Sequence, residues 1–315
     1  MTGPPAATAA IRLAVRRALA DLPATAPVAA AVSGGADSLA LAAALAFERP
    51  GAMALVVDHR LQPGSAGVAG RAADQCRGLG LDAAVLADPD PGADRPDPSP
   101  PGGPEARARE LRYRLLAAAG ERHGLAAVLL GHTLDDQAET VLLGLARGSG
   151  ARALSGMAPV RDRYRRPLLG LTRAMTGRAC AEAGLTPWQD PHNEDPSYAR
   201  VRARRLLPEL ERALGPGTTA ALARSAAQLR EDADALDALA DPTDEVPRLL
   251  AMPPALRARS LQQWAQARSG RALGAAHVAA LRALVEDWHG QGPVALPGGG
   301  SVQRVGARLL HTPPR

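Results

Sequence analysis

Apolar and polar positions along the chain fall into two regimes. Up to about Gly184, short uninterrupted apolar runs alternate with longer segments of helical period, and from Tyr198 to His289 only the helical period remains. The runs Val28–Val32, AMALVVDH (Ala52–His59), LDAAVLA (Leu81–Ala87) and LAAVLLGH (Leu125–His132) have strand length and no polar alternation. Strands covered on both faces of a parallel sheet look like this. Helical segments lie between them: an alanine- and leucine-rich run after Asp37, then Ser65–Gly80, Glu105–Gly124 and Leu134–Gly148. YRRPLL (Tyr164–Leu169) followed by LTRAMTGRACAEAG (Leu171–Gly184) predicts one more strand and helix. The opening AATAAIRLAVRRALADL reads as an amphipathic domain helix, because the first strand follows within a few residues, too soon for a transit peptide. Alternating strands and helices imply an α/β parallel sheet, with ligands beyond the carboxyl ends of the strands. The expected division is 1–195 for the sheet domain and 196–315 for a second, mainly helical domain closed by a hairpin around Pro297–Gly300. Asp88–Pro104, dense in proline and glycine, predicts a loop.

Composition narrows the chemistry. Aromatic residues are 2% of the 315, so the core must come from leucine, alanine and valine, which favours close helix packing over an all-β sandwich. The formal charge is +5, and all 37 basic residues are arginine. Without lysine, neither a Schiff base from the chain nor the P-loop G-x-x-x-x-G-K-[ST] is available. Cys76 and Cys180 stand far apart, which excludes a disulfide framework or zinc knuckle from spacing and fits a reducing cytoplasm. No apolar run reaches the roughly 20 residues that span a bilayer.

Every motif with chemical content falls at a strand end. In SGGADS (Ser33–Ser38), Gly34 and Gly35 let backbone N–H groups converge, and the following helix N-terminus adds partial positive charge. Asp37 in such a turn makes sense as a Mg²⁺ ligand, since a bare carboxylate beside a polyanion would be repelled. In GHTLDDQAET, Asp135, Asp136 and Glu139 lie three and four residues apart on a helix start. They suit metal binding, an ammonium group or proton transfer, and equally the helix dipole with a Thr133/Asp136 capping box. His132 can serve a phosphate or an oxyanion, or be structural. Arg161, Arg163 and Arg165 alternate as on one side of a strand, while Arg200 and Arg204 share a helical face. Either cluster fits a solvated surface or phosphate contact.

SGGADS after a first strand resembles the signature of the N-type (PP-loop) ATP pyrophosphatases. With VVDHRL, EARARELRY, GHTLDDQAET, LARGSG, LSGM, RPLL, WQDPHNED and YARVRARRLLPEL in order, the chain is similar to the tRNA(Ile)-lysidine synthetase family from about Val28 to Leu210. It departs from the family pattern at Thr133, where a second histidine is frequent, at Gln62, where arginine is frequent, and at His192, where a smaller residue is usual. The resemblance implies a Rossmann-like parallel sheet with a helical substrate domain. It also implies ATP-dependent attachment of free L-lysine to the wobble cytidine of a CAU-anticodon tRNA(Ile), through an adenylated base. ATP would meet Ser33, Gly34, Gly35, Ala36, Asp37 and Ser38, with Asp58 and His59 after the second strand, and Mg²⁺ would sit on Asp37. Asp37, His132, Asp136, Glu139, Arg109 and Arg112 would carry the chemistry. Arg161, Arg163, Arg165, Arg200, Arg204 and Arg205 would contact the tRNA. The expected setting is cytoplasmic and free of membrane, and a homodimer is an assembly the sequence itself does not specify. Rival readings are a tRNA thiolase, which wants paired cysteines, and a non-catalytic tRNA-binding protein on the same fold.

Overall fold

The computed structural model describes residues 3–58, 64–88 and 103–314. His59 and the core of the Asp88–Pro104 segment lie outside these residues. The chain divides into two compact units, Met1–Ala227 and Gln228–Arg315.

The first unit opens with helix α1 (Ala6–Ala18), which buries Ile11 and Val15 one turn apart and turns Arg16 and Arg17 outward. Strand β1 (Val28–Val32) leads into helix α2 (Ala36–Glu48), followed by β2 (Met53–Asp58), α3 (Ser65–Gly78), β3 (Asp82–Ala87), α4 (Gly103–Arg122), β4 (Ala127–Leu130) and α5 (Leu134–Ala146). A one-turn helix α6 (Ala151–Leu154) precedes the short strands β5 (Val160–Arg161) and β6 (Tyr164–Arg165), then α7 (Arg173–Glu182) and α8 (Ala199–Leu214). The sheet order is β3-β2-β1-β4-β6-β5, parallel throughout except for the edge strand β5. Chain order reverses between β1 and β4, and that switch point opens a crevice at the strands' carboxyl ends. Helix α2 carries almost no polar face because it is enclosed, packing on β1, α1 and α7 with Leu39, Leu41 and Leu45 fully buried.

The expected strand Tyr164–Leu169 is cut to its first residues. Pro167 lacks a ladder N–H, and the chain turns into a 3-10 segment, Pro167–Gly170. Arg161, Arg163 and Arg165 therefore do not alternate along one strand: β5 and β6 form a hairpin whose corner holds Asp162 at φ 54°. The division at 227/228 also differs from the expected 195/196, because α8 packs on α5 and stays with the first unit.

The division falls inside helix α9 (Thr218–Leu239). The second unit continues with α10 (Val246–Ala251), α11 (Pro254–Ser269) and α12 (Ala275–Glu286), and its core gathers Leu249, Leu261, Trp264, Leu281, Leu284 and Val302. The expected hairpin joins β7 (Val294–Ala295) to β8 (Ser301–Val305), and β9 (Arg308–Thr312) adds a third antiparallel strand. Among the described residues, no helix is long and apolar enough to cross a membrane.

Candidate active site at the sheet switch point

A cavity of about 590 Å³ lies at the carboxyl ends of β1 and β4. Ser33, Gly35, Ala36, Asp37 and Ser38 of the SGGADS turn line it, whereas Gly34 does not. Gly34 takes φ 85°, a left-handed conformation that a side chain would strain, and its carbonyl accepts the Trp188 N–H at 2.9 Å. Gly35 caps α2 without any side-chain partner for the helix N–H groups, which leaves the first turn of α2 facing the cavity uncapped. Ser38 is buried and staples the turn: its Oγ donates to Gly35 O at 2.9 Å and accepts the Ser33 N–H at 3.1 Å. Ser33, by contrast, is exposed on the cavity wall. Ala36 and Asp37 line the same wall, whereas Asp58 is buried at the end of β2 away from it.

Close approach of β4 to this turn depends on Gly131. A Cβ there would come within 3.2 Å of Ser38 N and 3.3 Å of the Asp37 carbonyl carbon, both backbone atoms that cannot swing aside. Gly131→Ala is expected to displace the turn, costing about 1–3 kcal/mol. Thermal unfolding checks it; a melting temperature equal to that of the wild type would contradict it.

Four carboxylates gather around one cation that the sequence reading missed. Arg173, first residue of α7, donates from Nη2 to Asp136 Oδ1 at 2.9 Å and Glu139 Oε1 at 3.1 Å. Its Nε stands 3.8 Å from Asp37 Oδ2, and its backbone N–H donates to Asp135 Oδ2 at 2.7 Å. Asp37 also accepts a hydrogen bond from Thr176. Burial raises the Asp37 carboxyl above its ordinary range, against the opposing Thr176 bond and the Arg173 charge. Burial is the largest single influence on Asp136 and would raise it, but Arg173, the Thr133 N–H, Arg200 and His132 together reverse it and the net direction is down. The capping box of α5 is present, with Asp136 Oδ2 accepting the Thr133 N–H at 2.8 Å. Asp136 thus caps α5 through Oδ2 and pairs with Arg173 through Oδ1.

Glu139 is fully buried, enclosed by Arg173, by Arg204 at 2.8 Å and by Arg200 at 3.3 Å. The Arg200 contact is an ion pair without hydrogen-bond alignment, so Glu139 Oε2 and Arg200 Nε lack hydrogen-bond partners. His132 Nδ1 is a further buried atom without one. Burial pushes His132 down to about 3, helped by the charges of Arg166, Arg109 and Arg200 and opposed by Asp136, so the ring is neutral at pH 7. Arg109, its guanidinium 5.2 Å from the Tyr113 ring centre, and Arg112 reach the opposite wall from α4.

Among the described residues, no set of three or more His, Cys, Asp and Glu side chains is grouped to cage a metal. A Mg²⁺ that shares phosphate oxygens needs only one or two carboxylates, and Asp37, exposed to the cavity and destabilised by burial as an anion, fits that need.

The arginines expected on tRNA separate into different environments. Arg165 is buried and pairs with Asp21 and the Ala18 carbonyl, so its head is withdrawn from any external phosphate. Arg200 and Arg204 point at Glu139 and line the cavity. Arg163 is half-buried near Gly120, and only Arg161 and Arg205 are exposed.

Comparison with known proteins follows the same division of the chain. Residues 9–210 match a PP-loop domain model and residues 245–310 a TilS substrate binding domain model. A tRNA(Ile)-lysidine synthase of Leifsonia xyli is 51% identical over 89% of this chain and 88% of its own. That of Thermobifida fusca is 48% identical over 98% and 99%. Among solved structures, the U34-tRNA thiolase NcsA from Methanococcus maripaludis superposes with TM-score 0.60 at 19% identity, covering 71% of this chain and 79% of its own, a likeness of fold.

Proposed function

The chain belongs to the tRNA(Ile)-lysidine synthase family, and from that premise we propose how the cavity between β1 and β4 does its work. The protein is an ATP-dependent ligase that forms lysidine on tRNA(Ile). One observation carries the assignment of residues: the uncapped start of α2, the Asp37 and Asp136 carboxylates and the Arg109 and Arg112 heads all face a single cavity.

The main-chain N–H groups of Gly35 to Asp37 and the Ser33 hydroxyl hold the phosphates of ATP, taking the part a lysine clamp plays in other nucleotide sites. Asp37 would hold Mg²⁺, which when bound would supply neutralisation of the charge that builds on departing pyrophosphate. The wobble cytidine of the CAU anticodon leaves its stack and presents its ring carbonyl oxygen, which bonds to the α-phosphorus as the α–β bond breaks. Arg109 and Arg112 steady the base and phosphates from α4. Neutral His132 donates to phosphoryl oxygen and carries no charge to lose.

In the second step the ε-amine of free lysine attacks the activated ring carbon, the carbon–oxygen bond breaks and AMP leaves. The amine, with an ordinary pKa near 10.4, arrives as ammonium. Asp136 is the carboxylate that meets it, because it lines the cavity while Glu139 is fully enclosed by arginine. Its lowered basicity suits holding the ammonium better than keeping its proton, which passes on to solvent or to the departing phosphate.

The test is incorporation of labelled lysine into an unmodified CAU-anticodon transcript with ATP and Mg²⁺. Lysine-dependent release of AMP supports the reading; transcript binding without incorporation by folded protein would assign the chain to tRNA binding alone. Thiolation is disfavoured, since Cys76 and Cys180 are buried in the sheet's core and neither lines the cavity. Replacing exposed Arg161 and Arg205 by alanine is expected to lower the slope of log affinity against log salt by about 0.7–0.9 for each phosphate that is no longer neutralised. Arg165→Ala should leave that slope unchanged, and a filter-binding salt series distinguishes the two.

A further inference from the structure

Arg173 occupies the place that a substrate ammonium needs. One nitrogen bridges Asp136 and Glu139, another stands beside Asp37, and the backbone is anchored on Asp135. Burial would weaken its hold on its proton, but the four carboxylates outweigh burial and the guanidinium stays charged. At the first position of α7 a positive charge opposes the helix dipole, so its placement answers to the carboxylates and not to the helix. Glu139 keeps Arg200 and Arg204 if Arg173 leaves, whereas the only side-chain cation within ion-pair distance of Asp136 is Arg173 among the described residues. Both oxygens of Asp136 are engaged in this state, Oδ1 by Arg173 and Oδ2 by the Thr133 N–H and hydroxyl, so a second cation would have to compete for an oxygen already held.

We propose that Arg173 is a resident counter-cation that makes lysine binding depend on prior nucleotide binding, a positioning residue acting through Asp136. The inference rests on the reading of the cavity as the ATP and lysine site. A divalent ion on Asp37 would take that carboxylate from the guanidinium, and phosphoryl oxygens along the Ser33–Ser38 turn would offer it a new anionic partner. That attraction draws Arg173 off Asp136 and leaves that carboxylate to the incoming ammonium. The same exchange keeps lysine from filling the site before the nucleotide, and the coupling must be reciprocal.

Calorimetric titration of the full chain with L-lysine, with and without Mg²⁺ and α,β-methylene-ATP, tests this. In the wild type the nucleotide should tighten lysine binding on the order of tenfold or more, and lysine should tighten the nucleotide by the same factor. Arg173→Met should bind lysine about equally well in both conditions. Arg173→Lys, which keeps a cation but cannot bridge three carboxylates, should retain reduced coupling, and it serves if the methionine variant does not fold. Equal lysine affinity with and without nucleotide in the wild type, or wild-type coupling in either variant, overturns the proposal. A wild-type protein that incorporates lysine into the CAU transcript yet shows no coupling defeats this inference alone; one that incorporates none defeats the underlying reading with it.

Discussion

Asp37→Asn is expected to slow lysidine formation on the order of 10³-fold while leaving the fold as stable as the wild type or more so. The amide keeps the shape of the carboxylate and an oxygen for the Thr176 hydroxyl, but it no longer attracts a divalent cation. The two effects have opposite signs because the charge is functional and costly at once. Burial raises the Asp37 carboxyl in the folded protein, so the folded state holds its proton to higher pH than the unfolded chain does. Stability from this group is therefore present below the ordinary value of 3.8 and lost as pH rises through the raised one. Asparagine removes that loss at neutral pH. Single-turnover lysine incorporation and thermal unfolding, run on the same preparation, check both halves; a large fall in melting temperature would show that Asp37 is structural.

Glu139→Gln should do the reverse, with stability as the first casualty. Glu139 is fully buried and accepts from Arg173 and Arg204 while facing Arg200, so neutralising it leaves three guanidinium groups crowded around an uncharged amide. Breaking a buried ion pair on one side costs about 3–5 kcal/mol. The arginines are 30%, 29% and 32% exposed and solvent screens part of their repulsion, which places the expected loss near the lower end, about 3 kcal/mol. A denaturant midpoint that falls with an unchanged slope is the expected signature. Activity falls as well, because the same guanidinium groups set where Asp136 stands. A variant as stable as wild type would mean that the arginines find other partners or water, and the enclosure of Glu139 would lose its significance.

These two carboxylates show what the amino-acid order reveals and what it hides. Val28–Val32 reads as a strand and is one to the residue, because a strand buried on both faces needs only a continuous apolar run between breakers. SGGADS and GHTLDDQAET stand out in the sequence because each packs its polar groups into one turn, and residues of both line the cavity. Arg173 lay in view inside LTRAMT, but its meaning comes from Asp37, more than a hundred residues earlier in the chain, brought near by the crossover between β1 and β4. Local spacing carries no trace of that. The one hint available was a cation at the start of a helix, where the dipole disfavours it. Arg165 fails in the opposite direction: alternation suggested an exposed basic edge, but the hairpin at Asp162 turns its head inward to Asp21. The division of the chain's contacts at 227/228, against the expected 195/196, has the same origin, since the pairing of Arg200 and Arg204 with Glu139 ties α8 to α5 through ion pairs that no composition shift announces.

Backbone amides at the start of α2, with a divalent ion on Asp37, are proposed to hold the nucleotide without a cationic side chain from that turn. A crystal structure of the protein with Mg²⁺ and α,β-methylene-ATP tests it most directly. Phosphoryl oxygens are expected within hydrogen-bond distance of the main-chain N–H groups of Gly35 to Asp37, with the metal on the Asp37 carboxylate. A triphosphate bound away from the β1–β4 crevice, or held there by arginine heads with the α2 amides unengaged, would contradict it.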